Sequence, residues 1–163
     1  MLGETIVQKI TPFLWIDDKC EEAMNFYVSI FKNSRIVSTT RYGDVPLGMK
    51  GKVLTGVFEL EGQRFMALDG GPHFKFTEAI SLYVDCETQE EVDALWDKLS
   101  NGGQVQQCGW LKDKYGVSWQ IIPRALIEMM QDKDPEKVKR VTQAMLKMIK
   151  IDIEELKNAY EQG

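Results

Sequence analysis

Few residues in this chain can do chemistry, and most of them sit on short alternating runs. Phe13 and Trp15 take alternate positions just ahead of an Asp-Asp pair, and Ser81 and Tyr83 do the same ahead of Asp85. Such alternation puts side chains on one face of a strand. There the three rings either stack on a planar, apolar ligand or fill a closed core. Gln120 lies midway along the apolar run from Val117 to Ile122. A polar side chain in that setting needs a partner, either a ligand to orient or a neighbour inside the protein. Trp110 and Lys112 flank Leu111 on one hairpin; the ammonium suits an acidic group of a substrate, or simply solvent. Asp69 and His73 bracket Gly70-Gly71-Pro72 and are the weak candidates for catalysis. An imidazole that titrates near neutrality beside a carboxylate can move a proton. The alternative is a turn-stabilising Asp and an exposed His.

Three cysteines, Cys20, Cys86 and Cys108, form an odd set without metal-type spacing. They read as free thiols of a reducing cytosol. Cys108 has no His near it in sequence to activate it as a nucleophile. Asp69-Gly70-Gly71 and Asn101-Gly102-Gly103 are turns, since neither opens a helix after a strand as a phosphate cradle does. No glycine-rich loop of the kind that holds S-adenosylmethionine follows the first strand.

The elements that must position these residues repeat. Trp15-Ile16-Asp17 runs into apolar positions Ala23, Phe26, Tyr27 and Ile30, and Tyr83-Val84-Asp85 runs into Val92, Leu95, Trp96 and Leu99, about 69 positions later. Both sets have the spacing of a helix that buries one stripe. Each helix opens with capping-box spacing, Asp18 to Glu21 and Thr88 to Glu91. Strands are expected near 9–16, 34–42, 52–60 and 63–69, and again near 78–85, 104–107, 109–113 and 117–122. The order in each half is therefore β-α-β-β-β. Residues 1–123 read as one domain of two modules, about 8–72 and 76–123, and two like modules that face each other leave a cleft between them. Residues 124–163 read as a helical C-terminal extension, with Asp134-Pro135 and Asp152 opening amphipathic helices.

Bulk properties fit a soluble globular chain of 163 residues, 44% hydrophobic and 28% charged. A net charge of −5 argues against nucleic acid as a partner. No stretch approaches the roughly 18 uncharged apolar residues of a membrane span. The first nine residues lack the basic flank and apolar run of a signal peptide, so a cytoplasmic location is expected.

Three further segments carry a resemblance: Ile10-Thr11-Pro12-Phe13-Leu14-Trp15, Glu21-Glu22-Ala23-Met24-Asn25-Phe26-Tyr27, and Gly109 through Gln120. Together with Val141 to Met148 and the doubled module, they resemble the vicinal oxygen chelate superfamily, the glyoxalase/bleomycin-resistance/dioxygenase fold. Within it the likeness is to the PhnB-like, demethylubiquinone 3-methyltransferase-like group. The resemblance implies an α+β fold of two tandem β-α-β-β-β modules curled into half-barrels. In metal-dependent members, four ligands drawn from His, Gln and Glu hold a divalent ion that stabilises an enolate or activates dioxygen. Carried over, those positions fall at Thr11, Met66 or Asp69, Ala79 or Ser81, and Gln120. Thr, Met and Ala are poor ligands and Gln a weak one, so no cofactor is firmly implied and a divalent metal stays the alternative.

The expectation is a protein that binds a small apolar or aromatic molecule in its inter-module cleft through Phe13, Trp15, Ser81, Tyr83, Trp110, Lys112 and Gln120. Resistance-type members of the superfamily bind compounds without catalysis. The alternatives are an enzyme, either a metal-dependent lyase, isomerase or dioxygenase or the methyltransferase of the family label, and a structural homodimer whose cleft is filled.

Overall fold

A computed structural model describes residues 8–162, which divide after Lys75 into two compact units. The N-terminal segment read above for a signal peptide lies largely outside the described residues. No helix among the described residues is long and apolar enough to cross a membrane.

The first unit holds β1 (Phe13–Ile16), α1 (Cys20–Ile30), β2 (Arg35–Arg41), β3 (Val53–Leu60) and β4 (Gln63–Asp69). Its sheet runs β1-β4-β3-β2, with β1 parallel to β4 and the other pairs antiparallel. The β3–β4 turn is Glu61-Gly62, both with positive φ (50° and 79°), which is the twist a two-residue hairpin demands. Alternation sends Leu14, Ile16, Phe58, Leu60, Phe65 and Ala67 to the face that α1 covers with Ala23, Met24 and Tyr27. Tyr27 stacks on Phe58 and Phe58 on Phe65, with centroids 6.1 and 5.5 Å apart. Gly56 lets α1 lie close, because a Cβ there would sit 2.3 Å from the Met24 sulfur.

The second unit repeats the plan with β5 (Ser81–Cys86), α2 (Gln89–Ser100), β6 (Gln104–Val105), β7 (Trp110–Lys112) and β8 (Ser118–Pro123). Its sheet order is β5-β8-β7-β6, again with the first strand parallel to the last. Cys86, Leu111, Trp119 and Ile121 are buried with Val92, Leu95, Trp96 and Leu99 of α2. Asp113 fixes the β7–β8 turn. One of its oxygens accepts from Tyr115 N (2.9 Å) and Val117 N (3.1 Å), and the other accepts from the Trp119 indole (2.8 Å).

The extension packs on this second unit as α3 (Arg124–Met130), α4 (Pro135–Leu146) and α5 (Ile153–Glu161). Asp134 and Asp152 cap α4 and α5 as their types demand. Leu126, Met129, Val141, Met148, Ile151 and Leu156 close a second apolar core with Ile122. The stretch from Met148 to Ile153 is tied down along its length. Met148 O and Ile149 O accept from Cys108 N (2.9 Å) and Gly109 N (2.8 Å). The Gln89 amide bridges Ile151 O and Ile153 N at 3.0 and 2.8 Å.

Two details differ from the sequence reading. The Asp18–Glu21 capping box does not form: α1 has Lys19 at its N-cap and no side-chain cap. Asp18 instead adopts φ 59° and donates its N–H to Asp69 Oδ1 at 2.9 Å, while Glu21 pairs with Arg41. A buried carboxylate outcompetes the exposed one for the local backbone. The Thr88 cap does form, with Thr88 Oγ1 accepting from Glu91 N at 3.1 Å, while the Glu91 carboxylate accepts from Glu87 N. The first strands also start later than periodicity suggests, at Phe13 and Ser81, which leaves Thr11 and Ala79 outside them.

Candidate ligand-binding site

Each sheet carries its own module's helix, α1 or α2, on one face, so the residues of opposite parity define a second face that this helix does not cover. On the first unit that face bears Phe13 and Trp15. Phe13 is half exposed, at 48%. Trp15 is already engaged. Its indole N–H donates to Gly71 O at 2.9 Å, Phe74 packs edge-on at 4.9 Å, and Gly70 lies so close that a Cβ would meet the ring at 2.1 Å. Of the two aromatics, Phe13 offers the freer ring.

On the second unit, strand register arranges the candidates in two rows. Tyr83 pairs with Gln120 and Gln120 with Trp110. One step along, Ser81 pairs with Ser118 and Ser118 with Lys112. Side chains directly opposite in a sheet share a face and lie within reach of each other. Five of the residues singled out from sequence (Ser81, Tyr83, Trp110, Lys112 and Gln120) thus share one patch. The Gln120 amide donates to Ser81 Oγ at 2.9 Å, which answers the demand for a partner and leaves its carbonyl oxygen as an acceptor. Tyr83 is 50% exposed; partial burial, with Asp85 nearby, pushes its phenol above the usual range. Ile122, the next residue on this face of β8, is taken into the extension's core.

Two members of the patch escaped the sequence reading. Ser118 is 1% exposed, and its hydroxyl has no hydrogen-bond partner. Its signal was the two-residue spacing from Gln120, which places both on one face. Glu78, just ahead of β5, forms a tight ion pair with Lys112 and accepts from the Gln106 amide at 3.4 Å. The Lys112 contact holds the Glu78 carboxyl below the usual range.

The catalytic candidates do not form a pair of free groups. Asp69 is 8% exposed and spends its carboxylate on Asp18 N, while its backbone carbonyl accepts from the Tyr42 hydroxyl at 3.1 Å. His73 sits exposed in the turn that follows β4. The thiols of Cys20 and Cys86 are buried, which pushes them up to about 11 and about 12 and keeps them protonated.

A divalent ion does not suit these residues. Among the described residues no three His, Cys, Asp or Glu side chains are grouped to hold a metal. Of the carried-over positions, Met66 and Ser81 are weak donors, Gln120 offers only a neutral amide oxygen, and the Asp69 carboxylate is engaged by Asp18 N.

The chain is similar to several known proteins. The sequence model of the 3-demethylubiquinone-9 3-methyltransferase family matches residues 8–122. A putative 3-demethylubiquinone-9 3-methyltransferase, a PhnB protein from Bacillus cereus, is 47% identical over 71% of this chain and 99% of its own, with a TM-score of 0.67. A Pseudomonas aeruginosa protein is 22% identical over 72% of this chain and 98% of its own, at TM-score 0.62. The fosfomycin resistance protein FosX of Listeria monocytogenes is 14% identical over 78% of this chain and 99% of its own, at TM-score 0.56. The last two likenesses speak to fold alone. No curated protein matches the chain.

Proposed function

The chain belongs to the 3-demethylubiquinone-9 3-methyltransferase family of PhnB-like, glyoxalase-fold proteins, and on that premise we propose that it binds a small apolar or aromatic molecule. One observation carries the reading. Phe13 and Tyr83, each on the first strand of its unit and on the face away from the helix, are left about half exposed (48% and 50%), and Tyr83 stands in one row with Gln120 and Trp110. Aromatic side chains bury about 150–250 Å² each. Covering the exposed half of one ring is therefore worth roughly 2 kcal/mol at about 25 cal/mol per Å². An amide between two rings orients such a ligand, as is usual in sites that are mostly apolar with a few placed polar groups.

Methyl transfer, which the family description names, finds no support in the chain's own residues. β1 passes through Asp17-Asp18-Lys19 directly into α1, without the glycine-rich loop that cradles S-adenosylmethionine. A metal-dependent reaction finds little support in weak donors such as Met66 and Ser81. Assembly as a homodimer is a second reading, favoured by the exposed Val45, Leu47 and Ile80 (84%, 97% and 80%). Sedimentation as a monomer at micromolar concentration would dismiss it.

A thermal-shift screen over small aromatic compounds and over Ni, Mn and Fe tests the ligand reading. A ligand at 100 times its Kd stabilises the folded state by about 2.7 kcal/mol, a shift of several degrees. Aromatic compounds should raise the Tm, and Tyr83→Ala or Phe13→Ala should cut the rise. Stabilisation by one metal alone would overturn the proposal.

A further inference from the structure

We propose that the Ser118–Lys112 row takes the carboxylate of a planar aromatic acid, with Glu78 occupying that place until the acid arrives. The proposal rests on the preceding reading, and it adds the ligand's chemical class.

The first support is Ser118. A hydroxyl that is 1% exposed without a partner is rare in folded proteins, because burial strips its water and returns nothing. Its neighbour across β5, Ser81, accepts from Gln120 at its Oγ and makes no hydrogen bond to Ser118. Its neighbour across β7, Lys112, offers only donors. What the row lacks is an acceptor that can take a hydroxyl proton and an ammonium proton together. A carboxylate is such a group.

The second support is Glu78, a carboxylate already seated beside this row. It rests on the Lys112 ammonium and the Gln106 amide, yet its side chain is 49% exposed. Ion pairs this open to water contribute little, so Glu78 can leave at small cost. An incoming carboxylate replaces it on Lys112 and gains the Ser118 hydroxyl, which Glu78 does not reach. On this proposal the parting of the Lys112–Glu78 pair accompanies ligand entry to the enclosed hydroxyl.

The third support is dimensional. The Tyr83–Gln120–Trp110 row lies two residues along the strands from Ser81–Ser118–Lys112, a distance of about 7 Å. That is roughly the span from a carboxylate to the far side of its own aromatic ring. An acid anchored at Ser118 lays its ring against the aromatic row.

Calorimetric titration of the full chain with 2-naphthoate and its neutral analogue 2-naphthamide tests the proposal. The wild type should favour the acid. Glu78→Gln should tighten the acid and leave the amide unchanged. Ser118→Ala should weaken the acid roughly tenfold or more, as expected for a hydrogen bond to a charged group. The same variant should melt no lower than wild type without ligand, because it removes an unpartnered hydroxyl. Unchanged acid affinity in Ser118→Ala, no gain in Glu78→Gln, or a lowered Tm for Ser118→Ala would overturn it. Equal binding of acid and amide would reject the acid preference while leaving aromatic binding intact. Binding of neither would defeat both readings.

Discussion

Replacing Asp113 tests whether the β7–β8 turn is held by its carboxylate. Asp113 is 3% exposed and accepts hydrogen bonds from Tyr115 N, Val117 N and the Trp119 indole. Val117 and Trp119 are themselves buried, at 4% and 2%, so their donors have little access to water once the acceptor is gone. Hydrogen bonds to a charged group are worth about 1.5–3 kcal/mol each. Leaving a buried donor unsatisfied costs about 1–3 kcal/mol, so Asp113→Ala, which strips several at once, should cost about 3–5 kcal/mol. Asp113→Asn keeps one oxygen. If that oxygen serves the two backbone amides, the new NH₂ faces the indole N–H and two donors meet, for a loss of about 2 kcal/mol. Urea denaturation at neutral pH measures both, with Trp119→Phe completing a double-mutant cycle. The pair should couple by about 1–2 kcal/mol. A cost under about 1 kcal/mol for Asp113→Ala, at unchanged m-value, would refute the argument. The turn would then be held by β-pairing alone.

Two further outcomes follow from the geometry. Gln89→Ala strips partners from Ile151 O and Ile153 N and should cost about 2 kcal/mol. Lys150→Met, which removes the neighbouring ion pair with Asp93 (2.8 Å), should cost under about 1 kcal/mol and fade with salt; amide exchange at Ile153 and urea midpoints with and without salt read the difference. Alkaline pH should destabilise the chain through its buried thiols. Burial raises Cys86 from its ordinary 9.0 to about 12 in the folded state. The stability this gives is complete below pH 9 and is lost as pH climbs through the folded value. Urea midpoints measured between pH 9 and 11 should fall, and Cys86→Ala should fall less steeply. Parallel curves would reject burial as the cause.

Much of the architecture was legible because periodicity reports which side chains are buried. The alternation of Leu14 and Ile16 against Phe13 and Trp15, and the stripe Val92, Leu95, Trp96, Leu99, foretold both sheet faces and the covering helices. The Asp134-Pro135 and Asp152 signals marked the extension's helix starts. Other features depend on partners distant in sequence. Asp18 gives its N–H to Asp69, 51 residues away, and does not cap α1. Trp15 is held by Gly71, 56 residues away. Within the candidate site, Ser81, Tyr83, Trp110, Lys112 and Gln120 were readable as polar or aromatic positions on short strands. Glu78 was not, since a loop Glu carries no signal, and Ser118 offered only its two-residue spacing from Gln120 until strand register set it beside Lys112.

In each sheet the strand made first pairs in parallel with the strand made last. Ile16 meets Asp69 and Ser81 meets Ser118, so closing either sheet must bring together segments separated by dozens of intervening residues. The β3–β4 hairpin, joined by two residues, needs no such search. Loop-closure entropy favours near neighbours, so this hairpin should assemble early and β1 should dock late. During synthesis, Phe13 through Ile16 must wait, unpaired, until β4 has cleared the ribosome. A nascent chain halted before Gln63 would therefore hold β1 with no strand to receive it.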